Sequence, residues 1–305
     1  FNEKPDMLWF MTDPRFYGWL WMIENEVRKH IPMVYYHVWD NYPLPKFNNK
    51  FYSSTDVIAS ISKVTHDIVN KVSPHVENHY IPHAVDTGIF RPLPDEDIAT
   101  LRKNHFDGDE DKRVTFFWNN RNARRKMSGS LIHWFNEFAE EVGPDKVRLI
   151  MHTDPKDPNG QDLEIILNNL GATDGRVVLS TNKIAPQALA AMYNMADCTI
   201  NISDAEGLGL TPASKAIIGS QQVPYIYEDR VSKEDFIRAL RDVFSMSHDE
   251  RRLLGMKGRK HVAKNYNFEN FQKQWVELID SIVERYGSWE TRKGYKPWAF
   301  TEITK

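Results

Sequence analysis

The sequence predicts an α/β protein built from two doubly wound parallel-sheet domains. Three observations carry that expectation. Short apolar, β-rich runs alternate with amphipathic helical stretches, the pattern of parallel βαβ units whose strands are covered on both faces. The length, 305 residues, exceeds what one hydrophobic core usually organises, and 41% hydrophobic content supplies a core for each half. A proline- and charge-rich interval, DTGIFRPLPDEDIATLRKNHFDGDEDKR over 86–113, breaks the alternation and reads as a linker carrying a short helix.

In the first half the expected strands are DMLWFM (6–11), MVYYHVW (33–39), DVIASIS (56–62) and NHYIPHAV (78–85), with a helix over RFYGWLWMIENEVRKH (15–30). In the second they are RVTFFW (113–118), VRLIMH (147–152), RVVLS (176–180), DCTINIS (197–203) and VPYIY (223–227). Helices are expected over SGSLIHWFNEFAEEVG (128–143) and PQALAAMYNMA (186–196), where Pro186 occupies a first-turn position that needs no amide. NFENFQKQWVELIDSIVERYGSW (267–289) repeats its apolar residues every three to four positions, as a long amphipathic helix does. The expected division is 1–90, a linker at 91–111, a second domain at 112–275, and a C-terminal helix and tail at 276–305 returning toward the first domain.

Composition narrows the function. Thirty-nine Lys and Arg against 42 Asp and Glu leave a net charge of −3, which supplies no overall basic field for nucleic acid. Any anion must be held locally. The one cysteine, Cys198, lies in an apolar run and reads as a structural thiol, which fits a reducing, cytoplasmic setting. No run reaches the length of a membrane span. Aromatic residues crowd LWFMTDPRFYGWLWM and MVYYHVWDNYPLPKF. They form either a large aromatic core or a surface that stacks on sugar rings or meets lipid headgroups, and Trp19 and Trp21 cannot both face inward on one helix.

In doubly wound sheets, ligands bind at the carboxyl ends of the strands, so the chemistry is sought in two loops. The first, NNRNARRKMSGS, places Arg121, Arg124, Arg125 and Lys126 within six residues ahead of a helix. It is either a diphosphate site at a helix N-terminus or a solvated basic loop. The second is DAEGLGLTPASKA. Gly207 and Gly209 let backbone amides approach a ligand, and Thr211 and Pro212 carry the signals of an N-cap and a first helical residue, which makes Ser214 the third. The sequence EDR at 228–230 is a poor metal motif and reads as a solvated loop.

These residues resemble the retaining GT-B glycosyltransferases of family GT4, which use nucleotide-sugar donors. The resemblance implies that Arg121 and Lys126, five residues apart, hold the donor diphosphate. It makes EGLGL (206–210) the donor turn, with Glu206 on the sugar hydroxyls and the amides of Gly207, Leu208, Gly209 and Leu210 on sugar and phosphate. Thr211 and Ser214 complete that set, Ser214 standing where the family has the Glu that binds the donor ribose. TNKIAPQALAAMYNMADCTINIS resembles the base-binding segment, which implies Lys183 and Ile184 near the nucleobase. DVIASISKVTHDIV and IPHAVDTGIFRP resemble the end of the acceptor domain and the crossover, and His37 matches the histidine that lines the catalytic cleft.

The implied fold is GT-B: an acceptor-side domain at 1–90, a donor domain at 112–275, and a cleft between them. The family carries a further α/β stretch before the strand matching KPDMLWFM, so the first domain is expected to be incomplete. The implied reaction moves a sugar from a nucleoside diphosphate to a glycan, lipid-linked or other acceptor with retention of configuration. His37, Glu206, Arg121 and Lys126 would serve catalysis, without metal or other cofactor. The implied partners are the nucleotide-sugar donor and that acceptor, with peripheral membrane contact allowed and no nucleic acid. Two alternatives use the same phosphate cleft: a weakly active or non-catalytic nucleotide-sugar-binding protein, and a GT-B epimerase. A Rossmann oxidoreductase is disfavoured, because no G-x-G-x-x-G follows the first strand of either half.

Overall fold

A computed structural model describes residues 2–106, 112–204 and 213–299, and the chain divides into two compact units. Unit 1 comprises Phe1–Val85, Ile217–Tyr227 and Asn265–Lys305; unit 2 comprises Asp86–Ala216 and Glu228–Lys264. The linker helix therefore belongs to unit 2. All of the C-terminal helix belongs to unit 1, ahead of the residue 276 expected from sequence.

Unit 1 is a parallel sheet in the order β1 (Leu8–Thr12), β2 (Met33–His37), β3 (Val57–Ser60), β4 (Glu77–Tyr80). Its helices are α1 (Gly18–His30), α2 (Asn49–Ser53) and α3 (Lys63–Val72), the last begun by the Ser62 hydroxyl accepting from the Thr65 amide. Every residue of β2 is buried, as a central parallel strand requires. Side-chain alternation sorts its two faces. Met33 and Tyr35 pack with Phe10, Leu20, Val27 and Tyr52, whereas Val34 and Tyr36 pack with Trp275, Leu278 and Ile282 of the C-terminal helix. The aromatic-rich front is thus partly core. Trp21 packs on Phe10 and Tyr35, and Trp19 points outward.

Unit 2 begins with α4 (Asp95–His105) and carries the parallel order β7 (Val177–Ser180), β6 (Val147–His152), β5 (Val114–Asn119), β8 (Cys198–Thr199). One face is covered by α5 (Ser128–Val142), α6 (Leu163–Leu170) and α8 (Lys233–Ser245), which bury Phe116 and Trp118 against Phe135, Phe138, Leu163 and Phe236. On the other, Phe117 and Ile150 meet Phe106 and Met195, the latter from α7 (Pro186–Met195). Both faces are covered, so the sheet is doubly wound. Helix α9 (His248–Asn265) precedes α10 (Phe268–Tyr286). Cys198 is half-buried, and burial raises its thiol pKa, consistent with a structural role.

Two local expectations are corrected. The helix start read into Thr211–Ser214 is not realised at Ser214: residues Ser214–Ile218 form β9, paired with β10 (Ile226–Arg230). A cap signal is local, and strand pairing outweighs it here. Strand β10 also runs three residues past the expected VPYIY, which draws EDR into a strand in place of a solvated loop.

Candidate functional site

The strand order of unit 2 reverses direction at β5: the chain steps from β5 to β6 to β7 on one side, then returns to place β8 on the other. The loop after β5 and the described residues after β8, as far as Asp204, leave the carboxyl ends of these two strands at that switch point, where α/β sheets bind ligands. The loop after β5 is fastened from below by Asn122, which is fully buried. Its amide nitrogen donates to the carbonyls of Pro155 (3.3 Å) and Gln161 (2.7 Å), and its oxygen accepts from the Ser128 hydroxyl at 2.6 Å. Gly160 makes this possible, because a Cβ there would lie 2.2 Å from the Asn122 carbonyl oxygen.

Two arginines stand on this base, each on its own acid. Arg121, 63% exposed, donates to both carboxylate oxygens of Asp157, from Nε at 2.6 Å and Nη2 at 3.1 Å. Arg121 and the Asn159 amide hold the Asp157 carboxyl well below its usual range. Arg124, 62% exposed, makes a two-pronged pair with Glu228, which is 2% exposed; one prong, from Nη1, measures 3.0 Å. Arg124 likewise lowers the Glu228 pKa. Arg230 adds a third guanidinium, 3.3 Å from Glu228 and 3.7 Å from Asp204. Asp204 is buried, and desolvation raises its pKa against the pull of Arg230.

Backbone bonds knit the same place together. The Asp204 amide donates to the Arg125 carbonyl at 2.8 Å, and the Asp229 amide to the Asp204 carbonyl at 3.0 Å. Thus the loop after β5, the segment after β8 and strand β10 meet at one point. Lys126 is buried at the foot of the loop, in a 3-10 turn (Arg124–Lys126) that ends at Met127. Met127 takes a left-handed φ of 59°, a strained conformation for a non-glycine residue, and α5 starts at the next position.

Of the residues expected from sequence, Arg121 stands exposed on Asp157 and Lys126 is buried at the foot of the same loop; the structure gathers Arg124, Glu228, Arg230 and Asp204 beside them. Glu206, Gly207, Leu208, Gly209, Leu210 and Thr211 lie outside the described residues. Ser214 is exposed on β9. Lys183 is exposed and Ile184 half-buried in the loop before α7. His37 is in the core of unit 1 with no exposed surface. Its Nδ1 lies 2.9 Å from the Tyr35 hydroxyl and its Nε2 2.7 Å from the Tyr52 hydroxyl, so both ring nitrogens are occupied. Burial lowers its pKa to about 3. In this structure the ring offers no open face to a ligand. Among the described residues, no group of three or more His, Cys, Asp and Glu could hold a metal ion, and no helix is long and apolar enough to cross a membrane.

The sequence signals for the added residues are uneven. Arg124 stands in the basic loop itself, but Glu228 is 104 positions away and no local pattern announces it.

The parallel sheets wound on both faces make this an α/β protein, and its likeness to solved glycosyltransferase structures gives it the GT-B fold. Trehalose 6-phosphate synthase from Burkholderia multivorans superposes with a TM-score of 0.64 at 13% identity, over 92% of this chain and 72% of that one. The E. coli trehalose-6-phosphate protein bound with UDP-2-fluoro glucose gives 0.63 at 13%, over 92% and 74%. Anabaena HepE in complex with UDP and glucose gives 0.59 at 10%, over 82% and 72%. No protein-family profile and no curated protein matches the sequence.

Proposed function

We propose that this protein is a retaining, metal-independent glycosyltransferase of family GT4 that takes its sugar from a nucleoside diphosphate donor. One observation carries the reading. At the switch point of unit 2, Arg121, Arg124 and Arg230 rest on carboxylates that are themselves buried or nearly so. A solvated basic loop has no use for buried acids beneath it, whereas an anion receptor gains by having its guanidinium groups positioned before the ligand arrives. The leaving diphosphate gains charge as the glycosidic bond breaks, so fixed cations beside it stabilise the transition state more than the ground state. Arg121 and Lys126 take that role, joined by the amides of Gly207, Leu208 and Gly209. Glu206 orients the sugar, and Lys183 and Ile184 border the base. A glycan or lipid-linked molecule in the cytoplasm is the acceptor.

The test is calorimetric titration of a panel of nucleoside diphosphates and their sugars in the presence of a chelator, followed by donor turnover. Saturable binding of at least one nucleotide, lost in Arg121→Ala, supports the reading. Absence of binding across the panel, with no turnover, overturns it. The enclosure of His37 favours a second reading, in which the protein binds the donor and turns it over weakly; tight binding with turnover no faster than Arg121→Ala would select it.

A further inference from the structure

Buried polar atoms in folded proteins are almost always hydrogen-bonded, so each exception asks for a physical reason. Among the described residues four buried side-chain atoms have no partner: Trp118 Nε1, Thr153 Oγ1, Asp204 Oδ1 and Arg230 Nε. All four belong to unit 2, and all stand toward the carboxyl ends of its strands. Trp118 is the last residue but one of β5, Thr153 follows β6, Asp204 lies beyond β8, and Arg230 ends β10. Unmet hydrogen bonding is thus concentrated at the end of the sheet where α/β folds bind ligands.

Two of the four atoms belong together. Arg230 Nε lies 3.7 Å from Asp204 Oδ2, beyond hydrogen-bond distance and beyond the roughly 2.7–2.9 Å of a closed guanidinium–carboxylate pair. Glu228, as deeply enclosed, shows the contrast: both prongs of Arg124 and the Arg230 Nη2 at 3.3 Å satisfy it. Asp204 is held in place through its backbone, its amide on the Arg125 carbonyl and its carbonyl on the Asp229 amide, while its side chain, 1% exposed, keeps Oδ1 unpartnered. Oδ1 requires a donor and Nε an acceptor. An anion is repelled by the carboxylate, and a metal cation by the guanidinium groups of Arg124 and Arg230. A hydroxyl meets both needs, donating to the one and accepting from the other. Arg230 also shares Glu228 with Arg124, so the pair adjoins the arginines of the proposed anion receptor.

We infer, resting on the nucleotide-sugar reading above, that Asp204 and Arg230 bind a hydroxyl of the donor, on its ribose or on the sugar to be transferred, and select for it. Calorimetry of the full chain tests this with pyrophosphate, with UDP, GDP and ADP, and with UDP-glucose, GDP-glucose and ADP-glucose, on wild type, Asp204→Asn and Arg230→Lys. Asn keeps the shape of Asp without its charge, and Lys keeps the charge beside Glu228 without Nε. Each variant is expected to bind pyrophosphate within about twofold of wild type, which reports an intact fold and anion receptor. The hydroxyl-bearing ligand is expected to bind each at least tenfold more weakly, the loss of a charge-assisted hydrogen bond. A loss that begins with the nucleoside diphosphate places the hydroxyl on the ribose; one that begins with the glucose compound places it on the sugar. Variants that match wild type on every ligand, or that weaken pyrophosphate by the same factor, overturn the inference and leave nucleotide binding standing. A wild type that binds none of the nucleotides or their glucose compounds overturns the underlying reading as well.

Discussion

Arg124 and Glu228 meet across 104 positions of sequence as a two-pronged ion pair, with the guanidinium largely in solvent and the carboxylate almost wholly enclosed. The asymmetry assigns the roles: the acid is the fixed partner and the arginine the presented one. Replacing Glu228 by Gln should loosen Arg124 and Arg230 together. We expect nucleotide affinity to fall about tenfold, and stability to fall by about 1–2 kcal/mol once solvent screening of the exposed arginine is allowed for. Calorimetry and urea unfolding on one preparation read both. Because Arg124 lowers the folded pKa of Glu228, the contribution is present above the ordinary carboxylate value of 4.5 and fades as pH falls through the lowered one.

Arg121 separates binding from folding. Its guanidinium is largely exposed, so Arg121→Ala should leave the melting temperature nearly unchanged. Nucleoside diphosphate affinity should fall by a factor of about 10 to 100, the cost of a lost charge-assisted bidentate contact. A melting temperature lowered in step with affinity would show that the Arg121–Asp157 pair holds the loop and not the ligand.

His37 carries a pH signature of the fold. Its folded pKa of about 3 lies below the ordinary 6.5, so the unfolded chain takes up a proton in the interval between them that the folded protein refuses. Stability should be fully present above pH 6.5 and decline as pH falls below it, by several kcal/mol at most. Proton NMR of the histidine ring signals checks this directly: the His37 resonances should not move between pH 8 and 5. A midpoint near 6.5 would mean that the ring is accessible.

Ser214→Glu tests the proposed donor turn at the first strand residue after it. The side chain is exposed on a strand, so the change should alter stability by no more than about 0.5 kcal/mol. On the proposed reading the new carboxylate meets the donor ribose and tightens nucleoside diphosphate binding about fivefold. Unchanged affinity would remove Ser214 from the site.

Much of the architecture is legible in sequence because buried parallel strands are short uninterrupted apolar runs. VTFFWN and VRLIMH announce themselves, and MVYYH does so despite its tyrosines and histidine. The site is only half legible. Arg121 and Lys126 form one local cluster, which spacing can find. Glu228 and Asp204 acquire their roles through tertiary placement: EDR looks like surface until β10 carries Glu228 beneath Arg124. Ser214 fails for a related reason, since a threonine–proline cap signal says nothing about a strand waiting to pair. The aromatic excess of the first fifty residues was countable in advance. How it divides between core and surface depends on which side of α1 each ring occupies.

The chain passes between its two units four times, after Val85, Ala216, Tyr227 and Lys264. Neither unit can therefore be excised as one uninterrupted piece. A fragment spanning 86–264 would carry the foreign stretch 217–227, with Val223 stripped of Trp39 and Ile68, its partners in the apolar cluster. A fragment ending near residue 85 would lack α10, leaving Val34, Tyr36 and Ala59 open to water on one whole face of the sheet. Exchange of either unit between proteins of this design would have to cut and rejoin the chain at several places.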